Sequence, residues 1–228
     1  MDNVEQKTLV SLGMSCQTAH QLRRLADNQI NSSDTSSGIQ VNSGIFDWLI
    51  CPPKSIIKLL DNGIPDFSKE NIQIRKDRPY WTDYNLFFWH NFIVGKDKDR
   101  QINIDDTFNK ETERWSYLRS RFSELVPAKT IFVVSNTQNN LLTEVFDTSE
   151  SDQYQFTFSV IEELEHSLAR FFNTSVDSIH LEVITRENRS SGLQNKRCVS
   201  FFPIDQNEWK GSRQSWDLWW QNLGSTLK

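Results

Sequence analysis

The sequence predicts an α/β fold, a layered mixed sheet flanked by helices. Three observations lead there. Short apolar runs that read as strands recur at residues 8–12, 130–134, 179–185 and 198–202. Segments with apolar side chains at helical spacing lie at 16–25, 110–125, 158–172 and 212–223. The two kinds alternate along the chain, and the helix-then-strand units ending near Val134 and Ile184 read as right-handed crossovers.

The elements follow in order. Residues 8–12 form a buried strand that ends in Gly13, a turn residue, and Ser15 is placed to cap the helix that opens at Cys16. Cys16, Ala19, Leu22 and Leu25 share one side of that helix, with Gln21, Arg23 and Arg24 on wetter faces. Residues 28–44, rich in Ser, Asn, Asp and Thr, read as a polar insertion loop. An apolar block at 45–50 holds a single carboxylate, Asp47, and is broken by Pro52 and Pro53. Pro53 suits the first turn of a helix over 54–61, closed by Gly63. Residues 72–74 suit an edge strand. Residues 86–94 form a stronger strand candidate that contains His90, and 97–106 is charged and exposed. A short helix is expected at 139–146 and a polar loop at 186–196. With no internal repeat and no clear linker, residues 1–228 read as one domain.

Composition narrows the function classes. The chain has 228 residues, 37% of them hydrophobic, with eight Trp and fifteen Phe, enough large rings to fill a core. A net charge of −5, with no run of Lys or Arg longer than two, excludes a general nucleic-acid binder. No apolar stretch approaches the roughly 18 residues of a membrane span, and the acidic N-terminus is unlike a signal peptide. The three cysteines, Cys16, Cys51 and Cys198, make no disulfide framework and no CxxC metal spacing. Together these point to a soluble, cytoplasmic protein without a metal. No Walker A or glycine-rich dinucleotide loop is present, so no cofactor is expected.

Cys16 is the first candidate for chemistry. A helix N-terminus stabilises a thiolate, and the amides of the glycine turn, residues 13–17, could hold an oxyanion. Its bland alternative is a small packed residue. A thiol nucleophile needs a base. His20 lies one helical turn on from Cys16, but a pair on one helix gives poor geometry. His90 sits among Phe87, Phe88, Trp89 and Phe92, as a base or as a core histidine. His166 reads as solvated, and His180 opens a strand. Asp47 could orient an imidazole or cap a turn before the prolines, and Asn136 competes for the orienting role. The C-terminal tryptophans read as helix packing ahead of a stacking surface.

The stretch Ser11-Leu12-Gly13, Cys16, Ala19 and Leu22-Arg23-Arg24, followed by Phe46-Asp47-Trp48-Leu49 and Pro52, resembles the bacterial DUF1796 family, described as papain-like cysteine peptidases. His90-Asn91-Phe92 is similar to that family's His-Asp-Phe element, and Trp209, Gly211 and Trp216 fit its aromatic tail loosely. The resemblance is dense over residues 8–62, thinner to about 135 and weak beyond. It implies a papain-like α+β fold and a thiol hydrolase or acyltransferase, with Cys16 as nucleophile, His90 as general base and Asp47 at a matched position. Three features depart from the family pattern: the insertion around 31–37, Ile45 where the family has Pro, and Asn91 where it has Asp.

The leading expectation is therefore a cysteine-dependent hydrolase or acyltransferase acting on an amide, ester or thioester through Cys16, His90 and Asp47. The rival is a non-enzymatic module that binds a peptide or glycan. A third reading, a layered ester hydrolase using Ser15, lacks an Asp-x-x-His near the C-terminus. Neither the substrate nor the oligomeric state follows from the sequence.

Overall fold

The computed structural model describes residues 6–31, 39–96, 99–138, 153–193, 198–204 and 209–226, without the side chains of 29–31 and 226. In chain order the first elements are strand β1 (Lys7–Ser11), helix α1 (Cys16–Asn31), β2 (Ile39–Val41), β3 (Leu49–Ile50) and α2 (Pro53–Asp61). They are followed by β4 (Ile72–Arg75), β5 (Arg78–Trp81), β6 (Leu86–Phe88), β7 (Ile93–Val94), β8 (Gln101–Ile102) and α3 (Ile104–Ser123). The remainder is β9 (Thr130–Ser135), β10 (Phe156–Thr157), α4 (Phe158–Phe171), β11 (His180–Thr185), β12 (Ser190–Ser191), β13 (Val199–Phe201) and α5 (Arg213–Thr226).

A five-stranded sheet, ordered β13-β11-β9-β1-β2, forms the centre, and every pairing in it is parallel. Leu9 of β1 lies opposite Val41 on one side and Ile131 on the other, and Phe132 of β9 lies opposite Leu181. Alternation along the strands sorts the side chains into two layers. Val10, Phe132, Val134 and Val183 face a core shared with α2, α3 and α4. Leu9, Ile131, Val133 and Ile184 face Leu22 and Leu25 of α1 and Trp216, Trp219 and Leu223 of α5. Most of the C-terminal tryptophans are thus packing groups, as the sequence suggests. A separate antiparallel sheet, β3-β6-β5-β4, carries the aromatic half of the first core: Phe67 contacts Trp81, Phe88, Phe92, Phe108 and Trp115 edge-on.

The layered α/β arrangement is the one the sequence predicts. Parallel and antiparallel pairing occupy separate sheets, and the α+β arrangement implied by the family resemblance is not found. Local signals explain the helix starts. Pro53 takes the first position of α2 after Pro52, Asn103 caps α3 by accepting from the amide of Asp106 at 3.0 Å, and Thr157 caps α4 by accepting from that of Val160 at 3.3 Å.

Two expectations need correction. The expected loop at 28–44 contains the end of α1 and the edge strand β2, whose Ile39 and Val41 pack on the α1/α5 core and so hold it to β1 despite its polar surroundings. The expected strand at 86–94 is broken. β6 stops at Phe88, and Phe92 turns left-handed (φ 60°), burying its ring while its carbonyl accepts from the amide of Asn103 at 2.8 Å. His90 therefore lies in a bend at the surface rather than in a strand. The helix expected at 139–146 lies outside the described residues.

Numbered by their order in the chain, the five strands of the central sheet run 2-1-3-4-5 across it, so the direction of winding reverses between β1 and β9. Parallel sheets of this type bind ligands outside the carboxyl ends of the strands at such a reversal. The Cys16 turn leaves β1 at that place.

Candidate functional site

The turn after β1 is tightly specified. Gly13 has φ 83°, and a Cβ there would lie 2.8 Å from the Phe46 carbonyl oxygen. Met14 is also left-handed (φ 64°) and fully buried. Ser11 Oγ accepts from the amide of Gly13 at 3.1 Å, and Ser15 Oγ accepts from that of Gln17 at 3.3 Å. Ser15 is thus the helix cap the sequence predicts, wholly buried, and two of the amides expected to hold an oxyanion are already committed. Cys16 begins α1 and is 6% exposed. Burial pushes its thiol up to about 12; its own amide and Arg23 act against this, while Asp47 adds to it. Cys51, deeper still, is likewise pushed to about 12 by burial.

Asp47 stands beside Cys16 and is 1% exposed. One oxygen, Oδ2, accepts from the Gly44 amide at 3.0 Å and pairs with the Arg23 guanidinium; the other, Oδ1, is buried without a hydrogen-bond partner. Burial raises its pKa from the ordinary 3.8 to about 6, against the opposing pull of Arg23, the Gly44 amide and Arg114. Arg23 then lies over Trp48, 4.8 Å from the ring centroid, and the His90 ring meets Trp48 edge-on at 5.1 Å. Cys16, Asp47, Arg23, Trp48 and His90 therefore form one continuous neighbourhood. Among the described residues, however, no hydrogen bond or ion pair joins Cys16 or Asp47 to a histidine.

His90 is exposed, and its pKa is lowered by burial against its neighbours and then by Arg100, Arg78 and Arg114. Arg78 lies 4.5 Å over Trp89. Asn91, the position where the resembled family carries an acid, donates its amide at 2.6 Å to Glu111, which is 7% exposed and also accepts from the Phe92 amide. The acidic partner of this bend thus comes from α3. A small cavity beneath Trp48, lined partly by Asn91, Glu111 and Trp115, has about 20 Å³, room for one water.

The carboxyl edge of the sheet is filled by its own side chains. Gln17, wholly buried, accepts from Thr137 after β9 and donates at 2.9 Å to the Trp209 carbonyl. Gln21 donates to the Lys210 carbonyl, and the His20 ring lies 4.9 Å from Trp209. Asn136 donates to the carbonyls of Tyr154 (2.8 Å) and Arg189 (3.0 Å) and accepts from Thr185 Oγ1 (2.8 Å). Every polar atom of its side chain is engaged in tying loops together, so it does not orient His90. His166 is exposed, and His180 pairs with Glu182 at 2.9 Å.

Arg23, Trp48, Trp89, Arg78, Arg100 and Arg114 were not singled out as site residues by the sequence. Two carried a usable signal: Arg23, although grouped with the wetter positions, follows Cys16 by seven residues, two helical turns, and so lies near its side of α1, and Trp48 adjoins Asp47 in the family-like motif. The others converge from separate elements. Among the described residues no group of His, Cys, Asp or Glu is arranged to hold a metal ion, and no helix is long and apolar enough to cross a membrane. Comparison with protein-family models, with curated proteins and with solved structures finds no match to this chain.

Proposed function

We propose that the protein is a non-enzymatic binding module that takes a peptide or glycan on the surface formed by Trp48, Trp89 and His90. The position of Trp48 carries this reading. Buried Asp47 anchors the segment through Gly44 and Arg23, and Trp48 stands half-buried between a guanidinium and an imidazole. Flat rings bordered by donors are the usual furniture of peptide and sugar recognition. The state of Cys16 supports the same reading. With its pKa pushed up to about 12 by burial, the thiol is held in its protonated, non-nucleophilic form at pH 7. We also place the protein in the cytoplasm, on the strength of three cysteines that form no disulfide, and assign it no nucleic-acid partner.

The test is capture on peptide and glycan arrays. Cys16→Ser should retain wild-type binding, and Trp48→Ala should lose it while keeping the wild-type circular dichroism. Equal binding by Trp48→Ala, or no capture by the wild type, would remove the proposal.

A second reading, the thiol hydrolase or acyltransferase of the resembled family, is favoured by one observation: Cys16, Asp47 and His90 border a single neighbourhood. It requires that a ligand uncover Cys16 and bring an imidazole to it. Covalent trapping of Cys16 by an electrophilic substrate analogue, absent in His90→Ala, would support it.

A further inference from the structure

We propose that the surface around His90 is an anion site, in which Arg78, Arg100 and Arg114 hold the phosphate or sulfate group of a small organic ester against the imidazole while Trp48 and Trp89 receive its organic part. This rests on the binding-module reading and names the chemistry of its ligand.

The cations come together from unrelated parts of the chain. Arg78 belongs to β5, Arg100 precedes β8, Arg114 lies on α3, and Arg23 reaches Trp48 from α1. Arg78 lies over Trp89, next in the chain to His90, and Arg114 reaches Glu111, which holds Asn91 on the other side of His90; with Arg100 they help to lower the His90 pKa. Such convergence runs against the average of a chain with 30 acidic and 25 basic residues. Among the described residues, two carboxylates of this neighbourhood are already engaged. Asp47 is committed to Arg23 and the Gly44 amide. Glu111 accepts from Asn91 and from the Phe92 amide, and its approach to Arg114 is a loose 3.9 Å. Arg78 and Arg100 have no carboxylate partner among the described residues, and Arg100 is exposed.

The chemistry of these groups selects the ligand. Guanidinium forks match the paired oxygens of phosphate and sulfate. Stacking on Trp89 orients the Arg78 fork before any ligand arrives, so less freedom is lost on binding. Burial and then the arginines lower the His90 pKa; an arriving oxyanion opposes the second of these and favours the protonated, donating imidazole. The net charge of −5 disfavours a long polyanion, which leaves a small ester whose sugar or acyl part covers the tryptophans.

The experiment follows the His90 imidazole by proton NMR, and tryptophan fluorescence, in the full chain during titration with inorganic phosphate, inorganic sulfate, glucose 6-phosphate and glucose. The anions should raise the His90 pKa, and glucose 6-phosphate should also change the tryptophan emission. The double variant Arg78→Gln/Arg100→Gln should bind the anions about tenfold more weakly or worse, with unchanged circular dichroism. Arg78→Lys/Arg100→Lys, which keeps the charge but not the fork, should fall between. Arg119→Gln, in an ion pair with Asp66 elsewhere on α3, should match the wild type. An imidazole that ignores all three anions at tens of millimolar, or glutamine variants that bind them as the wild type does, would overturn the anion site. If array ligands still bind through Trp48 in that case, the binding-module reading stands without it; if they do not, both fall.

Discussion

Asp47 should make the protein gain stability as pH falls from 7 toward 4, the reverse of the usual carboxylate. A group whose folded pKa lies above its unfolded value stabilises the fold below the unfolded pKa, and that contribution is lost as pH rises through the folded one. For Asp47 the window runs from 3.8 to about 6. The difference corresponds to about 3 kcal/mol at pH 7, with the pull of Arg23 already included. The cause is visible in the contacts: the carboxylate is 1% exposed, and Oδ1 has no hydrogen-bond donor. Asp47→Asn isolates the effect from every other titrating group. Its amide oxygen can keep the Gly44 and Arg23 contacts, with the NH2 in the place of Oδ1. Urea unfolding of both proteins at pH 4, 5, 6 and 7, at matched m-values, reads the difference. Relative to wild type, the variant should become more stable by about 2 kcal/mol between pH 4 and pH 7, since a small part of the effect is already present at pH 4. A difference that does not change with pH, or one that moves toward the wild type as pH rises, would refute the reasoning; the latter would mean that the Arg23 pair outweighs burial.

Three further substitutions probe the frame that holds the site. Gly13→Ala should cost at least about 2 kcal/mol, because φ is 83° and the new Cβ would meet the Phe46 carbonyl at 2.8 Å; denaturant midpoints measure it. Asn136→Ala should cost about 3 kcal/mol by removing three hydrogen bonds, those to the Tyr154 and Arg189 carbonyls and that from Thr185 Oγ1. If binding on Trp48 falls by more than the lost folded fraction explains, Asn136 does have a part in the site. Gln17→Ala should free the Trp209 segment from the β1–α1 turn at a cost of about 2 kcal/mol, seen as a red shift of tryptophan emission along with a lower urea midpoint.

Local patterns made the central sheet legible. The β-branched run Thr130–Ser135 and the turn at Gly13 lie where the sequence places them, because each is decided by neighbours in the chain. Strand β2 was hidden because two apolar side chains amid Ser and Asn give no periodicity; only pairing with β1 makes them a strand. His90 was misplaced because its aromatic neighbours read as a strand, whereas burial of the Phe92 ring bends the backbone there. The site was legible only in pieces. Cys16, Asp47 and His90 do border one neighbourhood, but what sets their chemistry is long-range: Arg23 pairs with Asp47 across 24 positions, and Arg78, Arg100 and Arg114 gather on His90 from β5, the segment before β8 and α3. No spacing rule links those residues. Burial, which decides the state of the Cys16 thiol, is a property of the packed chain.

The alkylation rate of Cys16 as a function of pH tests the central claim most directly, since that claim moves function from the thiol to the Trp48 surface. Iodoacetamide labelling of the folded protein, with peptide mapping by mass spectrometry to separate Cys16 from Cys51 and Cys198, gives the profile. A buried thiol with a pKa near 12 predicts slow labelling that climbs about tenfold per pH unit through pH 10. A plateau at or below pH 8, with Cys16 faster than Cys198, would contradict the account and return the nucleophile to Cys16.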